Sequence, residues 1–148
     1  MTGLVLRAAR STDAGRVGAI LSAFIDDTPW MPRVHTRAED LAFAGQMIER
    51  GWVTVAQLGG RVVGFVAHKE PEVVALYVDD ACRGRGFGTA LMRKLQQDRD
   101  ELRLWTLQVN ETAQEFYSRR GFVEIERTDG RGNDEGLPDI RLEWRRSA

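Results

Sequence analysis

The chain has 148 residues, long enough for one domain and a sizeable core. Its 43% hydrophobic and 29% charged residues are those of an ordinary globular protein, and a formal net charge of −1 excludes the sustained basic excess of a general nucleic-acid or anionic-membrane surface. The single cysteine, Cys82, excludes an internal disulfide and a cysteine-based zinc cluster, and fits a reducing cytoplasm.

Leu4 to Ala8 reads as a strand after an N-terminus, Met1 to Arg7, whose apolar run is too short for a signal peptide. Ser11 or Thr12 is expected to cap a helix to about Asp26, with Val17, Ile20, Leu21 and Phe24 on one face. The stretch Asp26 to His35 carries Pro29 and Pro32 and places Trp30 and Met31 on no periodic face. Thr36 is expected to cap a second helix to about Arg50, with Leu41, Ala44, Met47 and Ile48 inward. Trp52 to Leu58 and Arg61 to His68 read as strands joined by Gly59-Gly60, a hairpin signal, and Glu70-Pro71-Glu72 leads to the next strand, Glu72 to Val78.

A glycine-rich run, Asp79 to Gly88, follows, then an amphipathic helix from Thr89 to roughly Asp98. Leu102 to Val109 alternates as a strand, Asn110 caps a helix from Glu111 to Arg120, and Gly121 stops it. Phe122 to Arg127 is a strand, Asp129 to Pro138 a polar loop, and Asp139 to Arg145 a final strand. No stretch is long and apolar enough to span a bilayer. The order β-α-α-β-β-β-α-β-α-β-β, without repeat or linker, predicts a single α/β or α+β domain over residues 1–148.

Strand, glycine-rich turn and helix N-terminus in that order make an anion site. Gly84, Gly86 and Gly88 let the backbone approach a ligand, first-turn N–H groups point at it, and Arg83 and Arg85 add charge suited to phosphate. A Walker-type loop is excluded because no Gly-Lys pair occurs, and a dinucleotide fingerprint because Thr89 stands where its third glycine belongs.

Read as Arg83-x-x-Gly86-x-Gly88, the turn resembles the Arg/Gln-x-x-Gly-x-Gly/Ala signature of the GCN5-related N-acetyltransferases (the GNAT family), which holds the pyrophosphate of acetyl-CoA. Asn110, Ala113, Phe116, Tyr117, Gly121 and Phe122 likewise match that family's second segment, Asn-x-x-Ala-x-x-Phe-Tyr-x-x-x-Gly-Phe. The resemblance covers essentially the whole chain. It implies a mixed, strongly twisted sheet of about seven strands with helices on both faces, and acetyl-CoA as co-substrate with no metal.

It also implies roles for individual residues. Leu76, Tyr77 and Val78 would offer backbone groups to the pantetheine arm, Leu76 or Tyr77 supplying an oxyanion donor. Arg83, Gly84, Arg85, Gly86, Phe87, Gly88 and Thr89 would hold the pyrophosphate. Asn110, Ala113 and Phe116 would line the cofactor, Asn110 also serving as cap, and Tyr117 would protonate the departing thiolate; the competing reading of Phe116-Tyr117 is core packing. Where several family members carry a strand glutamate this chain has Val73, with Glu72 beside it. Glu70, Glu72, His68 and His35 are therefore candidate bases, none of them assigned.

The acceptor wall is expected at Pro29 to His35, with Trp30, Met31 and His35 as substrate-binding residues. The opposite wall is Asp129 to Pro138, where Asp129, Asp134 and Glu135 either attract a cationic amine or form a solvated hairpin loop, and Asn133 and Asp134 are expected to lock it. The reading is an acetyl-CoA-dependent N-acetyltransferase acting on a primary amine, of a small molecule, with no nucleic-acid or membrane partner and with a homodimer left open. The alternatives are a non-catalytic acyl-CoA-binding module and a protein N-terminal or lysine acetyltransferase.

Overall fold

The computed structural model describes residues 3–147, so the first two residues of the N-terminal stretch judged for a leader lie outside it. The elements are β1 (Leu4–Ala8), α1 (Ala14–Asp27), α2 (Arg37–Glu49), β2 (Val53–Leu58), β3 (Arg61–Lys69), β4 (Glu72–Val78), α3 (Phe87–Gln97), β5 (Glu101–Leu107), α4 (Glu111–Arg119), β6 (Val123–Thr128) and β7 (Asp139–Arg145). Short 3-10 turns cover Ser11–Asp13 and Asp80–Cys82. One seven-stranded sheet runs β1-β2-β3-β4-β5-β7-β6, with β4 and β5 parallel and every other neighbouring pair antiparallel.

Both faces of this sheet are covered where the strands are most apolar. On one face α1 and α2 bury Val17, Ile20, Ala44 and Met47 against Val53, Val55 and Phe65. On the other, α3 buries Phe87, Leu91, Met92 and Leu95 against Val66, Leu102, Leu104 and Ile140. At about 25 cal/mol per Å2, each of these Val, Leu, Ile, Phe and Met side chains contributes roughly 1.5–3 kcal/mol on burial.

Three local expectations are corrected. Neither Ser11 nor Thr12 caps α1. Instead Asp13 accepts the Arg10 N–H at 2.7 Å and pairs with Arg7, closing a 3-10 turn before the helix begins. Leu41 is 47% exposed rather than inward, because α2 crosses α1 with backbones nearly touching: a Cβ on Gly18 would lie 3.0 Å from the Leu41 Cα. Asp40 takes the buried position next to it. Finally α3 starts at Phe87, two residues earlier than its amphipathic pattern suggests, because Gly86 adopts φ 83° and serves as N-cap. Thr36 does cap α2, accepting from the Glu39 N–H at 3.1 Å, and the Gly59-Gly60 hairpin forms with both residues at positive φ.

Candidate active site

The sheet opens between β4 and β5. Their ladder has one pair, Glu72 with Arg103, supported by the Arg103 N–H donating to the Pro71 carbonyl at 2.8 Å. Past that rung the strands part. The Asp79 N–H donates to the Val63 carbonyl at 2.8 Å, so alternation turns the backbone of Tyr77 toward β3 and that of Leu76 and Val78 into the gap. Of the two residues named for the oxyanion, Leu76 is therefore the one whose N–H faces the opening.

At the end of β4 the chain turns through Gly84 and Gly86, at φ 78° and 83°, a region L side chains rarely enter. No side chain caps α3. Its first internal bond is from the Ala90 N–H to the Gly86 carbonyl at 3.0 Å, which leaves the N–H groups of Phe87, Gly88 and Thr89 without a partner inside the helix. Phe87 is buried and pins the turn to the core. Arg83 reaches Asp80 at 3.3 Å and lies 5.9 Å from the Phe24 ring, while Arg85 lies over Phe87. Cys82 is a free thiol packed against the same core.

The second motif closes on the first. A Cβ on Gly88 would stand 3.5 Å from the Phe116 ring and 3.8 Å from Val78, so the turn, α4 and the end of β4 converge. Asn110 caps α4, its Oδ1 accepting the Ala113 N–H at 3.0 Å. Tyr117 packs edge-on to Phe116 (5.2 Å between centroids) and Phe122 (5.5 Å). Burial raises its phenol above the ordinary tyrosine range, and the nearby Tyr77 phenol raises it further. Tyr77 projects to the opposite face, against Phe24 at 4.7 Å and Phe65 at 5.9 Å. Its phenol is pushed up to about 12, chiefly by burial and then by the charges of Glu135 and Asp40.

The two loops expected as acceptor walls meet: His35 Nε2 stands 3.5 Å from Asp134 and His35 Nδ1 3.7 Å from Glu39. Trp30 and Met31 are half-buried, and the Met31 N–H donates to the Thr28 carbonyl at 3.1 Å. Asn133 locks the second loop, donating to the Leu137 carbonyl (2.7 Å) and Asp139 (3.1 Å) while accepting from Gly136 (2.8 Å). Asp134 does not share that local task, as its sequence position suggests, and instead turns outward to His35.

Sequence reasoning missed what holds the first loop. Arg33 donates to Asp26, the His35 carbonyl and Asp40, each at 2.9 Å, and to the Ser22 carbonyl at 3.2 Å. Asp40 also accepts from the Ser22 hydroxyl at 2.5 Å. No local pattern marks Arg33, because its partners lie on two different helices.

The candidate bases near β4 are committed to other partners. Glu72 is clamped bidentately by Arg141, and Glu70 is bound by Arg99 and by His68 Nδ1 (2.8 Å). Burial lowers the His68 pKa. All three sit about the β3–β4 turn, His68 at the end of β3 and Glu72 at the start of β4, at the opposite end of β4 from the glycine turn. Among the described residues no three His, Cys, Asp or Glu side chains gather to hold a metal ion, and no helix is long and apolar enough to cross a membrane.

Comparison with known proteins agrees with this geometry. The acetyltransferase (GNAT) domain family matches residues 49–124, which span β2 through the start of β6, so the chain belongs to that family of acetyltransferases. An uncharacterized N-acetyltransferase of Methanocaldococcus jannaschii is 36% identical over 92 residues, covering 51% of this chain and 41% of that protein; the match thus spans less than half of the relative's length. The crystal structure of a GCN5-related N-acetyltransferase from Rhodopseudomonas palustris superimposes with a TM-score of 0.81 at 26% identity, covering 99% of this chain and 98% of the other. The fold is shared too by yncA of Salmonella typhimurium, solved with its cofactor acetyl-CoA (TM-score 0.77, 18% identity, 99% and 98% covered).

Proposed function

We propose that the protein transfers the acetyl group of acetyl-CoA to a primary amine, that of a small molecule, by direct attack within a ternary complex. One observation carries this reading: three unpartnered N–H groups at the first turn of α3 open beside a gap in the sheet. Phe87, Gly88 and Thr89 suit the cofactor's pyrophosphate, with Arg83 and Arg85 as flanking charge, and Leu76 and Val78 suit the amides of its pantetheine arm. When bound, acetyl-CoA supplies an activated acetyl thioester.

The residues of the chain then divide the work. The amine nitrogen bonds to the acetyl carbon while charge collects on the carbonyl oxygen, where the Leu76 N–H is placed to donate. As the carbon–sulfur bond breaks, Tyr117 gives its proton to the sulfur. A buried phenol is a weak acid, yet a thiolate formed in the same apolar gap is destabilised by the same burial, so the transfer stays matched. The acceptor attacks as its neutral amine, having shed one proton to water; the second proton, from the new amide nitrogen, also leaves to water and solvent returns one to the Tyr117 phenolate, since Glu72 and Glu70 are held by arginines.

Two features favour a small cationic acceptor. Glu135 places negative charge close enough to act on Tyr77, and the His35–Asp134 contact joins the two loops expected as acceptor walls. The test is thiol release from acetyl-CoA with a panel of amines and N-terminal peptides. Release that depends on a small amine supports the reading; release with peptides alone moves the acceptor to proteins. Tight binding of acetyl-CoA with no release under any acceptor would make the chain an acyl-CoA sensor instead.

A further inference from the structure

Arg120, immediately after α4, is a cation without an anion. Its guanidinium lies 4.4 Å from the Phe116 ring, donates to the Phe116 carbonyl at 3.3 Å, and donates to the Thr89 hydroxyl in the first turn of α3. Its Nε is buried and has no acceptor among the described residues. Burial lowers its pKa, and the charges that act on it, Arg93 and Arg119, are both positive and lower it further. A buried donor crowded by like charges is relieved by an anion and by little else.

A way in exists. Thr89 and Arg93 line an open groove along α3 with Gly86 and Lys94, so the groove runs on from the glycine turn and carries two further cations. We propose that Arg120, Arg93 and the Thr89 hydroxyl form a second phosphate subsite, one helical turn beyond the glycine turn, which takes a phosphate group of the cofactor. This rests on the acetyl-CoA reading and extends it. Coenzyme A offers two such groups, the pyrophosphate and the ribose 3′-phosphate. The backbone donors of Phe87 to Thr89 suit the first, which leaves the second for the side chains.

The experiment is calorimetry of coenzyme A and dephospho-coenzyme A on the wild type, Arg120→Gln, Arg120→Lys and Thr89→Val. The wild type should bind coenzyme A at least ~10-fold tighter than dephospho-coenzyme A, a charge-assisted contact being at stake. Arg120→Gln should erase that preference, with Arg120→Lys restoring part of it. Ligand-free Arg120→Gln should also melt no lower than the wild type, since it loses an uncompensated cation. Equal weakening toward both ligands would put Arg120 on the pyrophosphate already assigned to the backbone turn, and would overturn the inference of a separate subsite for the 3′-phosphate. Unchanged affinity for both ligands in a folded Arg120→Gln overturns the inference and leaves the acetyl-CoA reading standing. Should that variant fail to fold, unchanged binding by Thr89→Val overturns it equally. A wild type that binds neither ligand removes both readings.

Discussion

Replacing Tyr117 with phenylalanine removes one oxygen and almost nothing else. The ring keeps its edge contacts to Phe116 and Phe122 at 5.2 and 5.5 Å. Stability should change by no more than about 0.5 kcal/mol, as for substitutions that disturb neither packing nor a buried bond. Turnover should fall ~10²-fold or more, the range for a positioned acid, which is about 2.7 kcal/mol on the barrier. The assay measures thiol release at saturating amine, with cofactor affinity and the melting curve followed in parallel. The pH profile has a definite sign: because burial raises the phenol above its ordinary value, the wild-type kcat should not decline from tyrosine ionisation between about pH 8 and 10. An unchanged kcat in Tyr117→Phe, or a fall matched by an equal loss of cofactor affinity, would refute the role and leave Tyr117 a packing residue.

Gly86→Val should abolish cofactor binding by calorimetry while the protein stays folded, since φ 83° costs an L residue about 1–2 kcal/mol and the added side chain obstructs the turn. Arg33→Ala should cost about 2–4 kcal/mol, because Asp40, 4% exposed, keeps only its bond from Ser22. It should lower Tm by roughly 2–4 °C per kcal/mol and raise the amine KM with cofactor affinity unchanged; losing less when combined with Asp40→Asn would confirm the pair. Arg7 and the Arg10 N–H hold the Asp13 carboxyl below its ordinary pKa, so its stabilisation is present above about pH 4 and fades as pH falls through the depressed folded value. Asp13→Asn should be less stable near neutrality by about 1–3 kcal/mol and show a flatter acid-unfolding curve in that window.

The element order is legible because period and punctuation agree. β4 and β7 match their expected limits residue for residue, each being an apolar run or alternation bounded by proline or glycine. The start of α3 is hidden because its cap is a backbone conformation: Gly86 in the left-handed region does what a Ser or Asp side chain would have announced. Leu41 satisfies the helical period yet sits outside, since the distance between two helix backbones at Gly18, not periodicity, decides which neighbour is covered. In the site, the glycine turn and the Asn110–Phe122 segment can be read because each is contiguous. Arg33 with Asp40, His35 with Asp134, and Arg120 with Thr89 cannot, because each pair exists only after helices and loops are brought together.

The single rung between β4 and β5 gives the molecule a seam. The strands on either side, β1 to β4 and β5 to β7, are fastened edge to edge at Glu72 and Arg103, where Arg141 of β7 also clamps Glu72, and past that end mainly by what packs across them. A chain of amides lying along that seam, as proposed for the cofactor's pantetheine arm, would add rungs the polypeptide does not supply and so act as a stitch as well as a reactant. Amide hydrogen exchange at Leu76 and Val78 should then slow sharply on loading, while β2 and β3, stitched on both edges by the polypeptide itself, exchange alike in either state. On that binding mode the rigidity of the protein would track the supply of acetyl-CoA, and the empty and loaded chains should differ in their resistance to heat and proteases by as much as the ligand's own binding free energy provides.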